Sequence, residues 1–572
     1  MRVILASAVL LILMAGMSAA AQETATDLSF GDGSQWRCVG GEWSEGENGV
    51  ILPPTTRNLY STAFYTGKAY SDVTVEFDYW GGYRESATGT AGLILRATDG
   101  QEFYVIHFPW CGQPYRAKNF WTGLAKVNSD GYFRHVRFEL APAVPAEWER
   151  WYSVKVQAVG PRIKVWVDGR LALDATDNTY KSGLIGLAGY GEYQFRNLRV
   201  SGTSTKAEKL PTEMTIAKNM VELPIPCTWP TGCVAPNGDV LIGSGQVLLR
   251  STDKGRTWNK EQLPEWVAGT QRLHVLPMSD GGSTLFRTAK DRLIALGAIG
   301  GYITQSASRA HGFWLSESFD HGKTWSEAAL CPLLDDVPWP KDISSERLYV
   351  NGPLVETADG TLLRFCYSGV EDNSSYTNVN TWGAEKCKAM VFRSTDGAKT
   401  WSGPIELDRP TYGSAKFKSH SPRGSIPGTL DLTETNGVAI GNTVMALSRP
   451  IYSPWMWQCL SYDGGATWDT AARTTFPGYA QSLLRTSSGA IVCAHRYPGY
   501  AINVSRDNGL NWDQGTVIDW PTWAMGNIIE VEPDVLLVTY MNSDLGDVAN
   551  LQKFPLLMQR VEITNDGIRP AK

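Results

Sequence analysis

The sequence predicts an all-β protein in which an N-terminal jelly-roll β-sandwich is followed by a six-bladed β-propeller. Three observations lead to this fold class. Short runs of alternating apolar and polar residues fill positions 28–202, and an eight-residue turn pattern recurs through the rest of the chain. No stretch shows the 3.6-residue apolar period of a long helix. The chain has 572 residues, which is too many for one ordinary core, so we expect at least two domains.

The sandwich is assigned to residues 24–202. Within it, the segment 163–167 (Ile-Lys-Val-Trp-Val) alternates as a half-buried strand does, and the Asp-Gly pair at 168–169 is typical of a tight hairpin. The polar segment 203–213 contains Gly, Pro, Ser and Thr without any periodicity. This composition is typical of a linker, so a second domain is expected to begin after it.

The repeated turn has the form Ser-x-Asp-x-Gly-x-Thr-Trp and is called the box below. Its Asp can accept hydrogen bonds from backbone N–H groups ahead of it, its Gly takes a left-handed conformation, and its Trp covers the turn. We therefore predict that the box joins antiparallel strands at the outside of a sheet; a catalytic role for its aspartates is the alternative. In two copies the pattern varies, with the glycine shifted to Gly397 or Thr replaced by Asn511. The five copies begin at Ser251, Ser318, Ser394, Ser461 and Ser505.

The propeller is assigned to residues 214–572, because a pair of strands joined by a glycine turn precedes the box in each unit, as at 237–238 and 488–489. A sixth pair of strands, within 527–540, has no box after it. Five boxed units and one unboxed unit predict six blades. The strand at 556–563 is expected to close the ring with chain from the start of the domain.

The first residues predict export. Arg2 precedes the apolar run 3–14, and the small residues 18–21 provide an Ala-x-Ala cleavage site near Ala21. Residues 1–21 are therefore predicted to be a signal peptide, and the mature protein to be secreted or periplasmic. The apolar run is too short to span a bilayer, and no second long one follows, so no membrane span is expected.

Charge and cysteine usage exclude other classes of partner. The net charge is −6 and no cluster of Lys or Arg occurs, so no nucleic-acid partner is expected. The nine cysteines show neither CxxC nor Cys/His zinc spacing, and the sequence predicts no metal and no cofactor. Two alternatives stay open for the thiols: local disulfides, with Cys227–Cys233 and Cys366–Cys387 as the candidates, or buried free cysteines.

Aromatic residues are abundant, with 22 Trp and 23 Tyr. Many of the tryptophans lie in predicted loops beside Gly and Pro, where a flat ring with a polar edge suits stacking on a sugar face. The same rings also serve as ordinary core and rim residues in β-rich secreted proteins. The composition therefore favours a carbohydrate partner without specifying one.

The boxes carry a family resemblance. Several Ser-x-Asp-x-Gly-x-Thr-Trp turns in a secreted, six-unit β array resemble the sialidase (neuraminidase) superfamily with its Asp-box (BNR) repeats. The ending of the first domain, residues 162–200, is similar to the concanavalin-like (laminin-G-like) jelly-roll domains of secreted carbohydrate-active proteins, including relatives of keto-disaccharide hydrolases. For the first domain this resemblance implies a glycan-binding or spacer module.

The resemblance also implies site residues. Sialidases hold a sugar carboxylate with arginines and use a tyrosine nucleophile that is assisted by a glutamate. Glu434, which opens an inner strand, matches the assisting carboxylate, and Arg449, at the end of the next strand, matches one carboxylate-binding arginine. In the next unit Arg496 is a displaced arginine candidate, and His495 is an acid/base or sugar-ligand candidate. The alternative is a solvated Glu434 and a locally paired Arg449.

Two positions depart from the family. Its first blade begins with Arg-Ile-Pro, where this chain has Thr-Trp-Pro at 228–230, and its nucleophilic tyrosine opens the sixth blade, where this chain has 523–527 without a tyrosine. Tyr540 is the nearest substitute for that nucleophile, with a packing role as the alternative. The further residues predicted to bind substrate are His420, Arg423, Arg309 and Trp229.

Together these features predict a secreted sialidase-like glycoside hydrolase that releases a terminal sugar, acidic or neutral, from glycans. Two alternatives remain at this level. One is a non-catalytic glycan-binding propeller, favoured by the missing arginine and tyrosine. The other is a glycosidase or lyase of different specificity on the same scaffold, because function depends on the site and not on the fold.

Overall fold

The structure is a computed structural model, and parts of the chain fall outside its description. The predicted signal peptide at 1–21 lies outside it, as do Cys227 and Cys387. No helix in the part described is long and apolar enough to cross a membrane. The residues described are 25–31, 33–54, 60–81, 90–98, 101–108, 119–145, 147, 150–191, 193–206, 218–226, 230–244, 247–264, 284–297, 302–303, 312–338, 348–350, 352–368, 388–408, 411–412, 428–429, 432–450, 455–496, 499–520, 526–541 and 555–572.

The all-β prediction is confirmed. In the first domain, alternation places every second side chain of β11 in the core, and Asp168 and Gly169 take positive φ in the hairpin that follows. The long strand β5 pairs with β2, β10, β13 and β14. The strands of this sandwich are β1 Thr26–Asp27, β2 Trp36–Val39, β3 Ser44–Glu45, β4 Ile51–Leu52, β5 Ser61–Gly81, β6 Thr90–Ala97, β7 Phe103–Phe108, β8 Asn119–Val127, β9 Phe133–Pro145, β10 Arg150–Val159, β11 Arg162–Val167, β12 Arg170–Thr176, β13 Gly183–Tyr190 and β14 Gln194–Thr205, with a 3-10 turn at Glu47–Gly49.

The second domain is an array of antiparallel sheets. The first unit is β16 Thr231–Val234, β17 Val240–Ser244, β18 Val247–Ser251 and β19 Asn259–Gln262, and the second is β20 Thr284–Arg287, β21 Leu293–Gly297, β23 Gly312–Ser318 and β24 Ala329–Pro332. The third is β22 Tyr302–Ile303, β25 Leu348–Val350, β26 Val355–Glu356, β27 Leu362–Ser368, β28 Lys388–Ser394 and β29 Ser402–Glu406; a ribbon of β30 Thr411–Tyr412 and β31 Gly428–Thr429 follows.

Three more units complete the array. The fourth is β32 Leu432–Ile440, β33 Thr443–Pro450, β34 Trp455–Ser461 and β35 Ala472–Pro477, and the fifth is β36 Tyr479–Arg485, β37 Ile491–Arg496, β38 Tyr500–Ser505 and β39 Thr516–Asp519. The last is β40 Gly526–Glu532, β41 Val535–Met541, β42 Pro555–Thr564 and β43 Gly567–Pro570, joined by β15 Val221–Pro226. The pairing of β15 with β42 confirms that chain from the start of the domain closes the ring.

The blade count differs from the predicted six. Five of the units are separate sheets, so five blades are distinct in the described residues. The fifth unit, β36–β39, has the same four-strand order, but β39 also pairs with β9 of the sandwich through Thr516↔Arg134 and Val517↔Phe133. It therefore belongs to a continuous 18-stranded sheet together with the sandwich. The difference arises because the edge of one predicted blade is hydrogen-bonded to the other domain.

The boxes are structural, as predicted. In the fourth unit Ser461 Oγ donates to Asp463 at 2.8 Å, and Asp463 accepts from the backbone N–H of Thr467 at 2.8 Å. Gly465 has φ +86, and Trp468 Nε1 donates back to the Gly465 carbonyl at 3.2 Å. Partial burial opposes the effect, but these donors lower the pKa of the Asp463 carboxyl.

The described cysteines are free thiols. Cys233 and Cys366, one member of each predicted local disulfide, are both free, and their proposed partners lie outside the described residues. Burial raises the pKa of the Cys233 thiol to about 12, so it stays protonated. For these two cysteines the free-thiol alternative is the one observed.

Candidate functional site

The innermost strand of the fourth unit is bulged at Glu434. Thr433 pairs with Arg449, and the next pair along the strand is Asn436 with Leu447, so two residues of β32 oppose one residue of β33. Glu434 has φ +44, a left-handed conformation that is uncommon for a residue with a side chain. The bulge turns the carboxylate of Glu434 away from the regular alternation of the strand.

The innermost strand of the fifth unit repeats this bulge. Tyr479 pairs with Arg496, two residues are then skipped, and the inserted Ala480 has φ +50. Arg496 and Arg449 therefore occupy equivalent positions in neighbouring units, each paired with the residue that precedes a bulge. Arg496, which the sequence analysis described as a displaced arginine, is therefore in register with Arg449.

The two bulges are hydrogen-bonded to each other. The Ala480 backbone N–H donates to Glu434 Oε2 at 3.1 Å. The Gln481 side-chain amide donates to the carbonyls of Glu434 and of Leu447, the latter at 2.6 Å. Asn436 Nδ2 donates to the carbonyl of Gln481. Backbone strain of this kind persists only where surrounding contacts hold it, and it is concentrated at functional sites.

A buried ion-pair cluster forms around the bulges. Arg449 Nη1 donates to Glu434 Oε2 at 2.7 Å, and Arg496 Nη2 lies 3.9 Å from Glu434 Oε1. The three side chains are 6–8 % exposed. Glu434 is thus neither solvated nor in a loop, and two guanidinium groups face one carboxylate.

Tyr479 completes the cluster. Its ring is 1 % exposed, and the guanidinium carbon of Arg449 lies 4.4 Å from the ring centroid, in cation–π geometry. Burial by itself would lower the pKa of Arg449, but Glu434 and Tyr479 keep that pKa above its ordinary value. Arg449 is therefore a permanent cation with one face on an aromatic ring and one edge on a carboxylate.

His495 lies in other contacts. Its Nε2 is 2.7 Å from Asn503 Oδ1, and its ring centroid is 5.6 Å from that of Phe476. Burial lowers the pKa of His495 to about 4, which keeps the imidazole neutral near pH 7. Although His495 directly precedes Arg496 in the chain, its side chain contacts Asn503 and Phe476 and not Glu434 in the bonds described. Its acid/base role stays a prediction.

Tyr540 is also separate from Glu434. Its hydroxyl donates to Asp519 Oδ2 at 2.6 Å and accepts from Gln559 Nε2 at 2.7 Å, and its ring stacks on Tyr500 with centroids 4.6 Å apart. Burial raises the pKa of Tyr540 well above its ordinary value, so a proton is hard to remove. These contacts correspond to the packing alternative.

Four predicted substrate-binding residues lie outside the described residues. They are His420, Arg423, Arg309 and Trp229.

The sequence reasoning missed three buried residues near the pair, namely Tyr479, Gln481 and Arg364. Arg364 on β27 is fully buried and donates to the carbonyl of Gly352, which lies against the Asn436 side chain; burial lowers the pKa of Arg364 to about 9. The sequence could have pointed to Tyr479 only through its position at the start of a predicted strand. The bulge that makes its position equivalent to that of Thr433 cannot be recognised in the sequence.

A separate cleft lies on the sandwich. It has a volume of about 670 Å³ and is lined by polar residues that include Glu102, Asp130 and Lys181, far along the chain from Glu434. Across the described ranges, no group of three or more His, Cys, Asp or Glu side chains is arranged to hold a metal ion.

Comparison with known families agrees with this architecture. Residues 26–201 match the family described as a 3-keto-alpha-glucoside-1,2-lyase-like domain, and residues 250–519 match the BNR repeat-like domain. Each match covers less than half of the chain, and the two matched regions are those for which the sequence showed a resemblance, the first domain and the box repeats.

Individual proteins match this chain only at low sequence identity. A xyloglucanase from a Paenibacillus species is 26% identical over 196 residues, which is 33% of this chain and 16% of that protein. The xyloglucanase Xgh74A from Acetivibrio thermocellus is 26% identical over 237 residues, 40% of this chain and 21% of that protein. The chain thus spans about a fifth or less of the length of these curated relatives. The structure of the NanB sialidase from Streptococcus pneumoniae aligns with a TM-score of 0.40 at 11% identity, over 87% of this chain and 95% of that one.

Proposed function

We propose that the chain is an exported glycoside hydrolase that acts on a terminal acidic sugar at the cluster around Glu434. The observation that carries the proposal is the presence of two equivalent guanidinium groups, those of Arg449 and Arg496, on one buried carboxylate. Export follows from the signal-like residues 1–21, and N-terminal sequencing of the secreted protein is expected to begin near Gln22.

The guanidinium groups of the cluster favour an anionic ligand. Arg449 and Arg496 both lie beside Glu434, with nitrogen–oxygen distances of 2.7 and 3.9 Å. A guanidinium recognises a carboxylate through charge-assisted, often bidentate hydrogen bonds, and it stays charged when buried beside an anion. A sugar carboxylate can accept such bonds as an anion, whereas a neutral sugar offers these groups only hydroxyl oxygens.

We assign the chemistry to Glu434 and Tyr479. In a sialidase-like mechanism a tyrosine attacks the anomeric carbon while a carboxylate takes its proton, and the glycosidic bond breaks as the leaving oxygen takes up a proton from solvent. Water then cleaves the tyrosyl–sugar bond and the tyrosine regains its proton. A neutral nucleophile avoids repulsion from an anionic sugar. The Tyr479 ring packs on the Arg449 guanidinium, and Tyr479 directly precedes Ala480, whose backbone N–H donates to Glu434. The tyrosine role first predicted for Tyr540 therefore passes to Tyr479 in this proposal.

The test is turnover of sialosides, uronosides and neutral aryl glycosides by the purified protein and three variants. Glu434→Gln and Tyr479→Phe are expected to lower kcat at least about 100-fold on the acidic substrate, since each removes a reacting group. Tyr540→Phe is the matched control, and its kcat is expected to stay within about threefold. Absence of turnover on every acidic substrate, or equal losses in both tyrosine variants, contradicts the proposal.

A second candidate is hydrolysis of a neutral polysaccharide. The observation that favours it is the similarity to two proteins named as xyloglucanases. Such enzymes need a pair of carboxyl groups at the bond that is cleaved, whereas the cluster described here contains one. Release of oligosaccharides from xyloglucan that survives Arg449→Ala would select this candidate over the first.

A further inference from the structure

The propeller cluster is backed by aromatic side chains that belong to the sandwich. Trp121 on β8 and Phe138 on β9 pack in one cluster with Tyr479, and both Trp121 and Tyr479 are 1 % exposed. The rings of Trp121 and Phe138 stack with their centroids 5.3 Å apart and 28° between their planes. The ring that supports Arg449 from the propeller therefore has its own support in the other domain.

Phe138 also reaches the fourth unit. Its ring meets Trp455 of β34 edge-on, with centroids 5.6 Å apart and 89° between the planes. The aromatic backing, defined as Trp121, Phe138, Trp455 and Tyr479, thus joins the sandwich to the two units whose inner strands carry the bulges. Edge-on and stacked aromatic contacts of this kind stabilise beyond the burial of apolar area.

The position of Phe138 is fixed by the backbone. Its strand β9 pairs with β39 of the fifth unit, and the Tyr132 hydroxyl just before β9 donates to Gln559 Oε1 at 2.8 Å. The backbone N–H of His135 donates to the Gly515 carbonyl at 3.0 Å. Since Phe138 follows within a few residues on the same strand, the inter-domain sheet sets where its ring meets Tyr479.

We propose that Trp121 and Phe138 are positioning residues of the propeller site, which makes the sandwich a structural part of that site. They restrict the Tyr479 ring, and this ring in turn restricts the Arg449 guanidinium 4.4 Å away and its bond to Glu434. A displacement of about 1 Å in a reacting group can lower a rate 100-fold, so support at this distance from the chemistry is sufficient to matter. Only the kinetic arm of the test rests on the proposed function.

The first arm of the test measures hydrogen exchange in the full-length protein. Trp121→Leu and Phe138→Leu are compared with Phe77→Leu, a matched control that is 2 % exposed in the sandwich core and packs on Phe108 and Phe195. Amides in 479–485 and 432–440 are expected to exchange about tenfold faster in the first two variants and at the wild-type rate in the control. The milder Trp121→Phe is expected to restore most of the protection.

Two exchange results would overturn the proposal. One is unchanged protection of 479–485 in both Trp121→Leu and Phe138→Leu. The other is an equal loss in Phe77→Leu, which would show a general destabilisation of the sandwich. If Trp121→Leu does not fold, Trp121→Phe and Phe138→Leu still give the comparison.

The second arm measures kinetics on the acidic substrate. Trp121→Leu is expected to raise KM and lower kcat/KM by about tenfold, and in combination with Arg449→Lys to show less than the sum of the two effects, because both act on one guanidinium. Additive effects contradict the proposal. If the wild-type protein turns over no glycan, the proposed function fails while the exchange arm still decides the positioning role.

Discussion

The box turns at the rim and the bulged strands at Glu434 both satisfy carboxylates with hydrogen bonds, but they do so over different distances along the chain. In the box at Ser461 the partners of Asp463 lie two and four residues away. The partners of Glu434 lie 15 and 46 residues away, and one of them belongs to the next unit. A local motif tolerates change elsewhere, whereas a long-range one depends on the whole ring.

Exposure separates the two regions further. Asp463 is exposed, so water screens its charge, while Glu434 is 6 % exposed and relies on its protein partners. The same chemical group therefore contributes modestly to stability at the rim and has large consequences at the centre. The predictions below test this contrast, beginning with the largest expected effect.

Removal of one partner of the buried pair is expected to destabilise the protein most. Arg449→Met should lower the free energy of unfolding by about 3–5 kcal/mol, since it leaves a buried carboxylate without its closest cation. Urea denaturation measures this, with Arg485→Met, an exposed arginine on β36, as the control expected to change stability by less than about 0.5 kcal/mol. The double variant Glu434→Leu/Arg449→Met should be more stable than Arg449→Met alone, and a further loss would contradict the argument.

Acid is expected to weaken the contact between the fifth unit and the sandwich. Burial lowers the pKa of both His495 and His135 to about 4, and it also lowers the pKa of His107 well below its ordinary 6.5. The unfolded chain therefore binds these protons first, so their contribution to stability is complete above pH 6.5 and is lost as the pH falls towards 4. The expected loss is on the order of 1 kcal/mol per pH unit for each histidine.

The pH dependence has an opposing group and a matched variant. Burial raises the pKa of Asp513 to about 6, so this carboxyl contributes stability as the pH falls from 6 towards its ordinary 3.8. In His495→Gln, whose amide can still donate to Asn503, the fall in Tm between pH 6.5 and 4.5 should be smaller than in the wild type. An identical fall in both proteins would exclude His495 as a source.

Loss of a box carboxylate should have a smaller effect. Asp463→Ala removes the acceptor for Ser461 and Thr467 in an exposed turn and is expected to lower the unfolding free energy by about 1–2 kcal/mol. Turnover at the central site should be unchanged. A loss of activity larger than the loss of folded protein would show that the rim and the centre are coupled.

The smallest expected effect is a gain. Ala480 holds φ +50 at the second bulge, where glycine pays no steric penalty, so Ala480→Gly should stabilise the protein by about 0.5–1 kcal/mol. Ala494→Gly, on the paired strand β37 and equally buried, should destabilise it by about that amount. Thermal unfolding of the two variants checks the opposite signs.

The sequence identified much of the site but not its geometry. Glu434, Arg449 and Arg496 were predicted from a resemblance, and the structure brings all three together. Tyr479, whose ring packs on Arg449, was not predicted, because nothing in the sequence shows that β36 carries the same bulge as β32. A bulge inserts one residue and reverses which side chains face inward, and that choice depends on the partner strand.

By itself the sequence determined what is local: alternating strands, hairpin turns and boxes, each formed by residues a few positions apart whose preferences do not depend on distant chain. The tertiary structure alone decided that β39 joins β9, that the sandwich places Trp121 and Phe138 against Tyr479, and that two bulges meet over one carboxylate. The physical reason is that pairing between strands far apart in the chain is selected by the packing of the whole molecule, which no short stretch of sequence encodes.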